Sequence, residues 1–105
     1  MKIRVLALGG LFLTSVNAWG DPTSFDRGLD AVRDGDYTQA AELFAPLARE
    51  GVANAEFGLG LLYHSGTGIV QDEDMAVWLY HEAAKHGSTL AQEYLIIGYQ
   101  EGWFG

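Results

Sequence analysis

Three histidines and a run of acids are the side chains in this 105-residue chain whose types and spacing suggest chemistry. His81-Glu82 followed by His86 has the outline of a zinc-protease helix. That motif needs two histidines four apart on one face, and five residues turn a helix by about 140°. His64 belongs to a different predicted helix, so a metal site would have to assemble in space, and nothing in the spacing requires one. The simpler reading is solvated histidines near helix C-termini, where positive charge is favoured. Asp72-Glu73-Asp74 offers paired carboxylates for acid–base work or calcium, but no calcium-loop spacing of oxygen ligands surrounds it. An N-cap followed by two acids in a first helical turn accounts for all three. Gly66-Thr67-Gly68 lacks the glycine, lysine and hydroxyl residue that complete a phosphate loop, and reads as a turn. Ser65 and Ser88 have no nucleophile elbow around them. The chain has no cysteine, which excludes a disulfide framework, a thiolate nucleophile and a thiolate metal site. The sequence therefore yields no catalytic residue, no metal site and no cofactor.

The elements that carry these residues are helices. Ala55, Leu59, Leu62 and Tyr63 make a helical apolar stripe within a helix over 54–64. Gly66 and Gly68 stop it, since glycine past a helix end permits a left-handed cap. Asp72 caps the next helix, over 75–86, whose stripe is Ala76, Leu79, Tyr80, Ala83 and Ala84, and Gly87 ends it. The small residues let helices approach closely, with Leu79, Tyr80 and Tyr63 filling the space beside them. The pattern recurs at an offset of 36 residues: Asp36 with Asp72, Ala40 with Ala76, Leu43 with Leu79, Phe44 with Tyr80, Ala48 with Ala84, Gly51 with Gly87, Ala55 with Ala91, Leu59 with Leu95, Tyr63 with Tyr99 and Gly66 with Gly102. A fixed period in this range marks stacked supersecondary units. The first copy places a helix over 25–33, then Asp36 capping a helix over 37–50. Gln39 stands at the capping-box position, and Pro46 is expected to kink or weaken one turn. A last helix is expected over 89–100. The fold class is all-α: a short α-solenoid of antiparallel helix pairs, about two repeats plus one terminal helix.

The chain carries 6 basic and 14 acidic residues, a net charge of −8. Ahead of the repeats, Lys2 and Arg4 precede an apolar run over Val5–Val16 that is too short to span a bilayer comfortably. Val16-Asn17-Ala18 then offers small residues at a cleavage site. This is the pattern of a cleaved signal peptide over 1–18, followed by a short linker over 19–24 and a helical repeat domain over 25–105. No cysteine follows the run for lipid attachment. The expected location is periplasmic or secreted, in a Gram-negative bacterium, with no stable membrane insertion after cleavage. Beyond residue 18 only Arg27, Arg33, Arg49 and Lys85 remain against fourteen acids, a net −10. So acidic a chain is not built to track a phosphate backbone or an anionic lipid surface.

These residues resemble the Sel-one-like repeat family, a relative of the tetratricopeptide repeats. The resemblance rests on Ala55, Leu59-Gly60, Tyr63, Gly66-Thr67-Gly68, Asp72, Ala76, Leu79-Tyr80, Ala83-Ala84 and Gly87. The opening Asp34-Gly35-Asp36-Tyr37 with Ala40 is similar to the first unit of bacterial members. The chain departs from the pattern at four places. Leu79 stands where the family has tryptophan, with Trp78 one place earlier and rotated about a hundred degrees away. Val70 replaces a turn proline, Ile96 stands where glycine is expected, and the third unit lacks its second helix. Cysteine-rich members have been linked to β-lactam hydrolysis, but this chain has neither their cysteines nor a matching nucleophile motif.

The resemblance implies a non-enzymatic module that binds a protein partner through the concave face made by the first helix of each unit. Off the packing stripe lie Glu56, Phe57, Leu61 and His64 on one unit, and Glu93, Ile97 and Gln100 on the next. Phe57 and Trp78 are the favoured anchors, as exposed aromatics. Tyr94, Leu95, Ile97, Tyr99, Trp103 and Phe104 form an apolar end that no further helix covers. It must fold back, form a homodimer or bind something. Partner-binding candidates are thus Phe57, Leu61, His64, Trp78, Ile97, Trp103 and Phe104. The competing readings are a small exported enzyme or metal- or ligand-binding protein that uses the histidines and acids, and a truncated repeat fragment.

Overall fold

The computed structural model describes residues 23–104. The signal peptide and most of the linker lie outside them. Five helices follow one another: α1 Thr23–Arg33, α2 Tyr37–Arg49, α3 Ala53–Ser65, α4 Glu73–Lys85 and α5 Thr89–Glu101. Every predicted helix is present, with ends displaced by two residues or fewer. α1 begins at Thr23, so the last two residues assigned to the linker are already helical.

Local chemistry sets these ends. The Asp36 carboxylate accepts from the Gln39 N–H at 3.2 Å, and that of Asp72 from the Met75 N–H at 3.0 Å. Each satisfies an N–H that its helix leaves unpaired. Glu73 and Asp74 open α4 and Lys85 closes it, each sign at the end the dipole favours. After α4, Gly87 takes φ +104°, the Ser88 N–H reaches the Ala83 carbonyl, and the Gly87 N–H reaches that of Ala84. That pair of bonds is a Schellman closure, and it recurs at Gly35 and Gly51. α2 runs on through Pro46 to Arg49.

Consecutive helices pack against each other. One core cluster gathers Ala31, Ala40, Ala41, Phe44, Leu47, Ala55, Leu59, Leu62 and Leu79; a second gathers Ala76, Tyr80 and Leu95. Phe44 and Tyr80, one repeat apart, are the largest fully buried side chains. Each needs glycine beside it. A Cβ on Gly28 or Gly58 would press into the Phe44 ring, and one on Gly60 would come within 2.7 Å of the Tyr80 ring. The glycine missing at Ile96 follows the same logic: this residue is 57% exposed, so no ring of a next helix lies on it.

Candidate functional site

The first helices of successive units line a groove of about 540 Å³. Phe25, Leu29 and Val32 of α1, Phe57 and Leu61 of α3, and Leu90 of α5 supply much of its wall, with Tyr37 and Phe44 of α2 contributing. Phe25 and Phe44 meet with ring centres 5.6 Å apart, which fixes one wall. Gly58 keeps the floor open, since its missing side chain leaves room for the Phe44 ring. The polar atoms nearby are engaged: the Ser65 hydroxyl donates to the Leu61 carbonyl at 3.0 Å and lies 2.6 Å from the Thr67 hydroxyl. Among the described residues no imidazole or amine hydrogen-bonds that serine, so no general base activates it.

Phe57 and Leu61 are the sequence candidates that reach this groove. Phe57 is half-buried rather than an exposed anchor, because its ring packs 5.7 Å from Tyr80 and 5.6 Å from Tyr94. Glu56, expected on the contact face, is 3% exposed and turned inward. Trp78 is 56% exposed on another surface, beside Asp72, Asp74 and Met75. Ile97 is exposed as well. Phe25, Leu29 and Leu90 were not anticipated as lining residues. The repeat itself carried the signal, since Phe25, Leu61 and Ile97 stand 36 apart, as do Asn54 and Leu90.

His64, Trp103 and Phe104 gather where the chain leaves α5. Gly102 takes φ +77°, the Trp103 N–H reaches the Gly98 carbonyl at 2.8 Å, and the chain turns back. Phe104 then rests on Gly98 and faces Tyr99 at 5.2 Å, Tyr80 at 6.0 Å and His64 at 6.4 Å, while Trp103 lies 5.2 Å from Tyr94. Phe104 thus folds back over part of the apolar end and is half-buried, while Ile97, Tyr99 and Trp103 stay exposed. Tyr80 sits beneath this layer with its hydroxyl buried and no hydrogen-bond partner among the described residues. Burial pushes its ionisation far above the ordinary phenol range, and neighbouring Tyr94 adds to the shift. His64 and His86 stand at helix C-termini and His81 and His86 are exposed, as expected, but each imidazole has a particular setting. His81 lies within α4 and bonds the Tyr99 hydroxyl at 3.0 Å; His64 buries its Nδ1 without a hydrogen bond; His86 meets Glu56.

A family model described as Sel1 repeat matches residues 23–52 and 53–88, the first spanning α1–α2 and the second α3–α4. The Helicobacter pylori (strain J99) protein HcpE, which carries a provisional β-lactamase name, is 36% identical over 72 residues. That alignment covers 65% of this chain and 20% of HcpE, so the chain spans about a fifth of the length of the curated relative it matches. No solved structure matches.

Proposed function

Because the chain belongs to the Sel1 repeat family, whose model matches both helix pairs, we propose that it is a non-enzymatic protein-interaction module whose groove receives a segment of another protein. The observation that carries this reading is the groove's character: apolar walls from α1, α3 and α5, with no activated nucleophile. Its occupant is a segment with an apolar anchor and basic flanks. The anchor fits the Phe25–Leu29–Leu61 wall, and the flanks complement a chain with fourteen acids and six basic residues. Trp78 and Ile97 are outer contacts in this reading, and Trp103 and Phe104 act chiefly as a cover. A hydrolase reading draws only on the name of HcpE, and no arrangement in this groove supports it.

The module works outside the cytoplasm of a Gram-negative bacterium. Lys2, Arg4, the apolar run and Val16-Asn17-Ala18 support export and cleavage. Among the described residues no helix is long and apolar enough to cross a membrane.

A photo-crosslinking residue at Leu61, with Val70 as a control 86% exposed and away from the groove, tests the partner reading in producing cells. Leu61 should give an adduct of one discrete mass and Val70 none. A peptide of the captured segment should then bind the purified chain, and Leu29→Glu should weaken it at least tenfold while helicity is kept. Equal labelling from both positions, or undiminished binding by Leu29→Glu, would sink the proposal.

A further inference from the structure

Glu82 and His86 are four residues apart, so the last turn of α4 presents both on one face. His86 is the C-cap of that helix, and Gly87 turns the chain immediately after it. Facing them is the first turn of α3, where Glu56 donates its N–H to the Val52 carbonyl at 2.9 Å. Its carboxylate points into the junction between the two helices. Oε1 lies 2.8 Å from His86 Nδ1. One ligand atom each from Glu56, Glu82 and His86 lies within 4.8 Å of the others.

Two carboxylates and one imidazole meet at this junction, with a single exposed ammonium at its rim. Glu56 is 3% exposed, and among the described residues its carboxylate has no hydrogen-bond partner besides His86. A buried carboxylate needs a cation or several donors to offset lost hydration. A protonated His86 neutralises one acid, yet two converge on it. Lys85 approaches Glu82 at 3.1 Å, but that lysine is 66% exposed, and such a pair is easily given up. A divalent ion would neutralise both carboxylates at once and take the neutral imidazole as its nitrogen donor.

We propose that Glu56, Glu82 and His86 form a binding site for a zinc-like divalent cation, stapling α3 to the end of α4. Imidazole plus carboxylates suits zinc and its first-row neighbours, whereas calcium and magnesium prefer all-oxygen sets. Bonds of about 2.1 Å in a tetrahedron put donor atoms about 3.4 Å apart. The Glu56–His86 pair, at 2.8 Å, must open by about half an ångström and a pair near the 4.8 Å limit must close by more than about one, and the Glu82 and His86 side chains, 21% and 38% exposed, have room to adjust. Three protein ligands leave a fourth position for water. The site lies on other residues than the groove, so it stands whether or not a protein segment binds there.

The test uses the untagged chain as its producing cells process it, titrated with zinc chloride and separately with cobalt(II) chloride. Zinc at about a hundred times its Kd should raise the melting temperature by about 10 °C. Cobalt should develop visible ligand-field absorption, while calcium and magnesium leave the melting curve in place. Glu56→Gln and His86→Gln should each weaken zinc binding at least tenfold. His81→Gln, which removes a surface histidine outside the cluster, should leave it unchanged. Should burial make Glu56→Gln unfold, Glu82→Gln decides, because its side chain is less buried than that of Glu56 and is still a ligand. No zinc-dependent stabilisation, or binding that survives Glu82→Gln and His86→Gln, overturns the site; the latter outcome marks an adventitious ion only.

Discussion

Tyr80 shows how one side chain can carry both packing and a cost. Its ring is wholly buried between Gly60, Tyr94, Phe57 and Phe104, while its hydroxyl finds no partner among the described residues. Removing an unsatisfied buried hydroxyl should help, so Tyr80→Phe is expected to stabilise the fold by about 1 kcal/mol, read as a rise in melting temperature. The same group sets a pH limit. Its folded ionisation lies above the unfolded one, so the stability tied to its proton is full below about pH 10. Above that pH the unfolded chain loses the proton first, and stability falls by about 1.4 kcal/mol per pH unit. Tyr80→Phe should flatten that alkaline slope in urea melts taken between pH 9 and 11, and an unchanged slope would refute the assignment. Residue types predicted that Tyr80 would be buried. They did not give away its orphaned hydroxyl, which depends on where Tyr94 and Phe104 come to rest. Glu82 and His86 were legible as a pair four apart, but a search for two histidines at that spacing passes over them.

At the scale of the helix, the ends were the most readable features. Aspartates at 36 and 72 and glycines at 51, 66 and 87 gave the boundaries, because caps and left-handed turns are local chemistry that needs no tertiary context. Ser88 was passed over, since it directly follows a glycine and was weighed only as a nucleophile. It is the N-cap of α5: its hydroxyl accepts from the Ala91 N–H at 3.0 Å, and the residue is 5% exposed. Ser88→Ala should cost about 1 to 2 kcal/mol and fray the first turn of α5. Amide exchange at Thr89–Ala91 should accelerate well beyond that at Met75, which keeps its own cap on Asp72. Glu56 was misplaced for the opposite reason. The apolar stripe told which face of α3 meets the core, but not that a carboxylate beside it would turn inward to meet a histidine thirty residues away.

For the molecule as a whole, the repeat period gave the architecture and left one end undecided. Fold-back, dimerisation and ligand binding all satisfied the apolar run after Tyr94; the left-handed turn at Gly102 folds Phe104 back, and Ile97, Tyr99 and Trp103 stay exposed beside it. Cutting the chain after Gly102 should therefore uncover Tyr80 and Tyr94. Losing the half-buried Phe104 ring should cost about 2 kcal/mol, and light scattering should show more self-association than in the uncut chain. A cut chain whose mass in solution and melting temperature match those of the uncut chain would mean that Phe104 covers nothing that matters. The concave face was anticipated as a surface, whereas its walls at Phe25 and Leu90 emerged only from the stacking of α1, α3 and α5.

That helices lean chiefly on their sequence neighbours also bears on how the protein assembles. Distant segments need not find one another, so the loop-closure entropy that slows sandwiches and barrels is small, and folding belongs to the fast, low-contact-order regime. Structure can zip outward from the α3–α4 pair, which shares the most extensive contact. Each terminal helix has one main neighbour, so opening runs inward from the ends, and the α3–α4 hairpin is the last part to let go of its native contacts.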